Sequence, residues 1–142
     1  MRCTGRSSCR PRRRPLNPLN RAALNQVLPW CVEHGVGFLA ADPLLAGLLT
    51  GRFSGDEEFT EEDRDEFFSP PKFAKAVAFA RELAEIGQPG RLAVGWVLAQ
   101  PGVSCVLCPA VEADEFAALA GARALDPAEV QAVNELAQRH AL

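Results

Sequence analysis

The feature that most constrains this chain is the stretch from Gly35 to Arg52. It reads Gly-Val-Gly-Phe-Leu-Ala-Ala-Asp-Pro-Leu-Leu-Ala-Gly-Leu-Leu-Thr-Gly-Arg. Val36 to Ala41 is a short, unbroken apolar run between Gly and Asp-Pro. Such a run suits a strand buried on both faces, as in a parallel sheet. Gly47 and Gly51 punctuate the loop that follows, and Arg52 closes it. Glycine lets a backbone come close to a ligand, and an arginine fork matches a phosphate.

The remaining segments alternate as an α/β chain requires. Ala22 to His34 has Leu24, Val27, Leu28 and Cys31 at helical spacing. Pro29 lies inside and predicts a kink or break there, and Gly35 predicts a C-cap. Lys72 to Ile86 is amphipathic, with Phe73, Ala76, Val77, Ala80, Leu83 and Ala84 at steps of three and four. Arg91 to Gln100 is a nearly all-apolar helix around Trp96. Val103 to Cys108 reads as a second strand, and Glu112 to Ala122 as a helix beside it. Asp126-Pro127-Ala128-Glu129 opens the last helix with a capping box, and Val130, Val133, Leu136 and Ala137 form its apolar face.

Several features carry a bland reading beside a chemical one. Cys105 and Cys108 have the spacing of a zinc or redox pair, but no second pair accompanies them. They fall in an apolar strand pattern, which favours buried structural thiols. The five cysteines are an odd number, which suits reduced thiols. Residues 53–71 are strongly acidic and read as a solvated loop, because nothing nearby supplies the burial that raises a carboxyl pKa. Phe53, Phe59, Phe67 and Phe68 are candidate anchors for that loop. No metal site is expected.

Charge is uneven. Residues 1–32 hold seven arginines and no acid, while the whole chain has net charge −3. A basic arm suits nucleic acid or an anionic membrane. Residues 1–14 have no apolar periodicity, however, and read as a disordered leader ahead of one domain over 15–142. No apolar run reaches the ~18 residues of a membrane span. A cytoplasmic protein is the expectation.

The order Asp42-Pro43-Leu44-x-x-Gly47-Leu48-Leu49-Thr50-Gly51-Arg52 resembles the late part of an aldo/keto reductase, in the branch related to the potassium-channel beta subunits. Ala93-x-x-Trp96-Val97-Leu98-Ala99-Gln100-Pro101-Gly102-Val103 matches a second segment of that family. Asn17 and Arg21 fit a third motif, where Leu16 stands in place of a usual tyrosine. The likeness runs from about Leu16 to Leu142 and fades at about residue 15, as a truncated or frame-shifted gene start would make it. It implies the C-terminal portion of a (β/α)8 TIM barrel, an incomplete one, since a full barrel takes about 250 residues. The chain has 142.

What the resemblance implies for chemistry is NADPH-dependent reduction of a carbonyl. Asp42, Pro43, Leu44, Gly47, Leu48, Thr50, Gly51 and Arg52 would contact the cofactor phosphates. Ala41 stands where an aromatic ring usually stacks on the nicotinamide. A second motif, which holds the adenosine end, begins at Pro109 as in the family, but Ala110, Phe116, Leu119 and Ala120 replace its Gly, Gln, Glu and Asn. The family's proton donor is a tyrosine supported by Lys, Asp and His in its first half. This chain has no tyrosine, so no catalytic residue is assigned. The expectation is a chain inactive alone, or a remnant or interaction module that self-associates or completes a barrel with another chain.

Overall fold

The computed structural model describes residues 11–57, 69–108, 116 and 119–140. Three strands, β1 (Arg12–Pro15), β2 (Phe38–Ala41) and β3 (Val103–Val106), form a parallel sheet in the order β1-β2-β3. Among the described residues four α-helices accompany them: α1 (Val27–His34), α2 (Pro70–Ala84), α3 (Pro89–Leu98) and α4 (Pro127–Arg139). This is the expected α/β architecture, a partial barrel with all strands parallel.

β2 is apolar because it is paired on both sides. Phe38 pairs with Arg12 and Val103, and Leu39 with Arg13 and Cys105. Partners across a ladder share a face. Phe38 and Ala40 are wholly buried in the core with the helices. Leu39, Arg13 and Cys105 therefore share the opposite face. The register slips once, between Phe38 and Leu39, and Ser104 Oγ accepts the Phe38 N–H at 3.1 Å.

The leader expected over residues 1–14 is corrected for Arg12, Arg13 and Arg14, which belong to β1; residues 1–10 lie outside the described residues. All four β1 residues are exposed, so the strand has no apolar alternation to reveal it. It forms because β2 offers a ladder and the following residues are anchored. Arg12 N donates to Gly37 O and Leu16 N to Ala41 O, both at 2.9 Å. Leu16, Asn17 and Pro18 are buried. Tertiary pairing overrides weak strand propensity.

The long helix expected over Ala22–His34 is also corrected. A single 3-10 turn, Ala22–Leu24, precedes α1. Pro29 falls in the first turn of α1, where its missing N–H would have had no partner anyway. Of the kink or break expected at Pro29, the structure has a break, placed just before it between Leu24 and Val27. Gly35 ends α1 with φ +63°, as expected of a C-cap. Cys105 is exposed and Cys108 half-buried, which corrects the reading of both as buried structural thiols. The edge position of β3 leaves Cys105 uncovered among the described residues. The helix expected over Glu112–Ala122 lies largely outside the described residues.

The core closes around α3. Trp96 is buried, donates from Nε1 to Asn134 Oδ1 on α4 at 3.0 Å, and lies under the Arg21 guanidinium at 4.9 Å. Burial pulls the Arg21 pKa down from its usual value. Asp126 and Glu129 form the expected capping box of α4, with Arg123 paired to Glu129 at 2.7 Å. At the far end of α4, His140 and Arg139 both reach Glu82 of α2, each at 2.8 Å. No helix among the described residues is long and apolar enough to cross a membrane.

Gly95 sets how closely α3 and the approach to α4 meet. A Cβ there would lie 2.5 Å from Arg123 O and 2.9 Å from Leu125 Cδ2. The first neighbour is backbone and cannot swing aside. Gly95→Ala is expected to destabilise the fold by about 1–3 kcal/mol, read as a lower urea midpoint with an unchanged slope.

Candidate functional site

The three strands end on the same side, and a cleft of about 730 Å³ opens there. Its lining is Arg13, Arg14, Pro15, Ala41, Asp42, Val106, Leu107 and Cys108. Ligands of parallel sheets bind beyond the carboxyl ends of the strands. The loop leaving β2 begins at this mouth with Asp42; the other residues expected to contact the cofactor phosphates, Pro43 to Arg52, follow it in the loop and do not line the cleft.

That loop is wound in an unusual hand. Asp42, Leu45 and Ala46 have φ of +51°, +49° and +51°, and Gly47 and Gly51 have φ of +87° and +83°. Left-handed backbone costs a non-glycine residue roughly 1–2 kcal/mol. The surroundings fix it. Leu44, Leu45, Leu48 and Leu49 are buried in the core, and Pro43 is fully buried. Thr50 Oγ1 donates to Gly47 O at 2.7 Å. Asp42 Oδ1 accepts the Ala46 N–H at 2.7 Å.

Asn17 braces the loop from the end of β1. Its Nδ2 donates to Asp42 O at 3.0 Å, and its Oδ1 accepts from Leu19 N at 3.1 Å and Asn20 N at 2.8 Å. The sequence singled out Asn17 as a motif match without a role. Its complete burial and three bonds supply one.

The two glycines serve close approach. A Cβ on Gly47 would lie 3.2 Å from Arg52 Nη2, and one on Gly51 would lie 3.1 Å from Pro89 Cγ. Arg52 thus folds back over Gly47, with its guanidinium 4.9 Å from the Phe53 ring. Phe53 packs edge-on against Phe73 at 6.0 Å, the anchoring expected of it. Phe59, Phe67 and Phe68 lie outside the described residues. The N–H groups of Gly47 and Gly51 make no hydrogen bond among the described residues. The phosphate part of a dinucleotide fits such a loop: free N–H donors, a cation, and no Cβ on Gly47.

The rest of the expected cofactor surface is sparser. Ala41 presents a methyl group to the cleft and no ring. Phe116 is exposed and shares a small apolar pocket with Leu119, Ala120 and Leu98. Pro109, Ala110 and Glu112 lie outside the described residues. Most of the acidic stretch does too. Its described part holds Glu57, which accepts bonds from Ser54 N, Gly55 N and Ser54 Oγ. These lower its pKa to about 2, the Ser54 N–H first, which makes Glu57 a turn-former and no proton donor. No group of three or more His, Cys, Asp or Glu among the described residues is placed to hold a metal. His34 stacks on Trp30 with centroids 4.3 Å apart, and neither it nor His140 lines the cleft.

What sequence reasoning missed is Arg13, which it assigned to the leader. The available signal was position: Arg13 lies four residues before Asn17, where a strand would have to end.

The sequence model of the Aldo/keto reductase family matches residues 14–138. The chain is 28% identical over 114 residues to the aldo-keto reductase YhdN of Bacillus subtilis, covering 74% of this chain and 34% of that protein. It is 31% identical over 117 residues to the aldo-keto reductase str7 of Strobilurus tenacellus, covering 75% of this chain and 34% of that one. The glycerol dehydrogenase AKR11B4 of Gluconobacter oxydans superposes with a TM-score of 0.76 at 31% identity, over 90% of this chain and 42% of its own. The holo form of AKR11C1 from Bacillus halodurans shares the fold, with a TM-score of 0.65 at 23% identity, over 87% and 41%. The chain therefore spans about a third of the curated relatives' length and about two fifths of the solved ones.

Asp42 yields a test of the loop. Burial raises its pKa above the usual 3.8, and the Ala46 N–H pulls it part of the way back. A carboxyl with a higher pKa when folded stabilises the fold below its unfolded value and loses that contribution as pH rises through the folded one. Asn can adopt φ +51° and accept the same N–H while staying neutral. Asp42→Asn is therefore expected to gain stability relative to the parent as pH rises from about 4 to about 7. Urea midpoints of both proteins across that range check it, and a constant gap would refute it.

Proposed function

The chain belongs to the aldo/keto reductase family, and from that premise we propose that it is a cofactor-binding portion of an NADPH-dependent carbonyl reductase, inactive by itself. The observation that carries this reading is the loop of positive-φ residues at the carboxyl end of the middle strand. Strain of this kind is held in place where backbone must present donors to a ligand. Arg52 and the N–H groups of Gly47 and Gly51 bind the phosphates. Asp42, Pro43, Leu44, Leu48 and Thr50 hold the loop in shape. The bound cofactor would supply hydride.

The order of residues from Asp42 to Arg52 favours the branch of the potassium-channel beta subunits, and a cytoplasmic setting goes with the reading. Carbonyl reduction also needs an acid within reach of the substrate oxygen. The 142 residues contain no tyrosine, and neither histidine lines the cleft. The substrate-activating residues belong elsewhere in an intact barrel.

A second reading rests on the sheet edges. β1 and β3 each have one neighbour among the described residues, and exposed strand edges recruit other strands. Leu98 and Phe116 are exposed apolar residues at one pocket beside β3. This favours association with a second chain, whether or not cofactor binds.

NADPH titration followed by cofactor fluorescence separates the two. The cofactor reading expects saturable binding, weakened about tenfold or more by Arg52→Ala, the loss of one charge-assisted contact. It also expects no carbonyl turnover by the chain alone. Absence of NADPH binding in the parent, together with a concentration-dependent rise in mass by light scattering, would favour the interaction module.

A further inference from the structure

We propose that the cleft at the carboxyl ends of the strands binds an oxyanion through Arg13, so that its ligand carries a phosphate or carboxylate group there. This rests on the cleft's being a ligand site, as in the reading above, but adds a determinant that the loop residues do not supply.

Three consecutive arginines open β1, and their side chains meet different fates. Arg12 lies over Trp30 at 5.5 Å. Arg14 Nη1 donates to Arg13 O at 3.2 Å. Arg13 alone of the three has a guanidinium with no partner among the described residues. Its parallel register with Leu39 puts it on the face opposite the helical core. It also lines the cleft. Arg14 lines the cleft as well, but one of its N–H groups is taken by the Arg13 carbonyl, so Arg13 is the guanidinium there with its whole fork open.

The surroundings favour pairing. Pro15, Ala41, Val106 and Leu107 are apolar walls of the same cleft, and low polarity strengthens a guanidinium–oxyanion pair. The small Ala41 leaves space opposite. The competing charge is Asp42, which lines the cleft too. Its Oδ1 is already held by the Ala46 N–H at 2.7 Å, and burial favours its neutral form. An arginine fork accepts a phosphate or a carboxylate equally well in geometry. The oxyanion has two possible sources: the cofactor's own phosphates, or a separate acidic substrate.

Isothermal calorimetry of the full chain with inorganic pyrophosphate tests the proposal, with malonate as a dicarboxylate probe. At least one probe should bind, and Arg13→Gln should weaken it about tenfold or more. Arg13→Lys should retain part of the affinity, because it keeps the charge and loses the fork. Asp42→Asn should tighten binding. Arg13 is exposed and its side chain makes no described contact, so far-UV circular dichroism should confirm an intact fold in each variant. Equal affinity in Arg13→Gln, or no binding of either probe to the parent, overturns the proposal. If Arg13→Gln also weakens NADPH, the anion is the cofactor's; if NADPH is unaffected, it belongs to a separate ligand. Failure of NADPH to bind the parent while Arg13-dependent probe binding persists would sink the cofactor reading and leave this one standing.

Discussion

All three strands run the same way, and most of the structure follows from that constraint. A parallel neighbour cannot be reached by a tight turn, so helical crossovers connect the strands. In this chain the helices pack on one face of the sheet, where Phe38 and Ala40 are sealed. Uniform direction also gathers the three carboxyl ends at one rim. The cleft is a by-product of that polarity, and the loop after β2 stands at its edge because it could stand nowhere else.

The loop illustrates how a stable interior sustains an unfavourable local conformation. Leu44, Leu45, Leu48 and Leu49 are driven into the core, each contributing roughly 1.5–3 kcal/mol of burial. Against that, three non-glycine residues at positive φ cost roughly 1–2 kcal/mol each. The apolar side chains outweigh the twist, and Asn17 fixes it from the neighbouring strand. Positive-φ residues and buried leucines interleave along one short segment, so the loop cannot relax without disturbing the core.

Much of this was legible in the sequence. The apolar run before Asp42, the helical periodicity around Phe73 and Leu83, and the capping box at Asp126 each announced an element through local chemistry. The loop after β2 was legible as a turn-rich unit because its glycines and proline are spaced for backbone geometry. β1 was not, because its pattern is Arg-Arg-Arg-Pro and its stability comes from a neighbour 26 positions along the chain, with Arg12 opposite Phe38. Pro29 was legible only in part. A proline inside a helical pattern reads as a kink or break, and here the break falls just before it, so that it fits the first turn of α1. Cys105 looked buried because β3 is apolar. Burial, however, depends on which strands flank it, and that is not a local property.

The register of the sheet has a further consequence, in time. β2 meets β1 through Arg12 and Phe38, and meets β3 through Phe38 and Val103. Both pairings join distant parts of the chain, the second more so. Contacts of long sequence separation slow folding, because loop entropy is lost before the contact compensates for it. During synthesis, β2 leaves the ribosome well before Val103 does. Through that interval one side of an apolar strand has only β1 as company, so the nascent chain passes through a stage in which its most hydrophobic ladder is half-built.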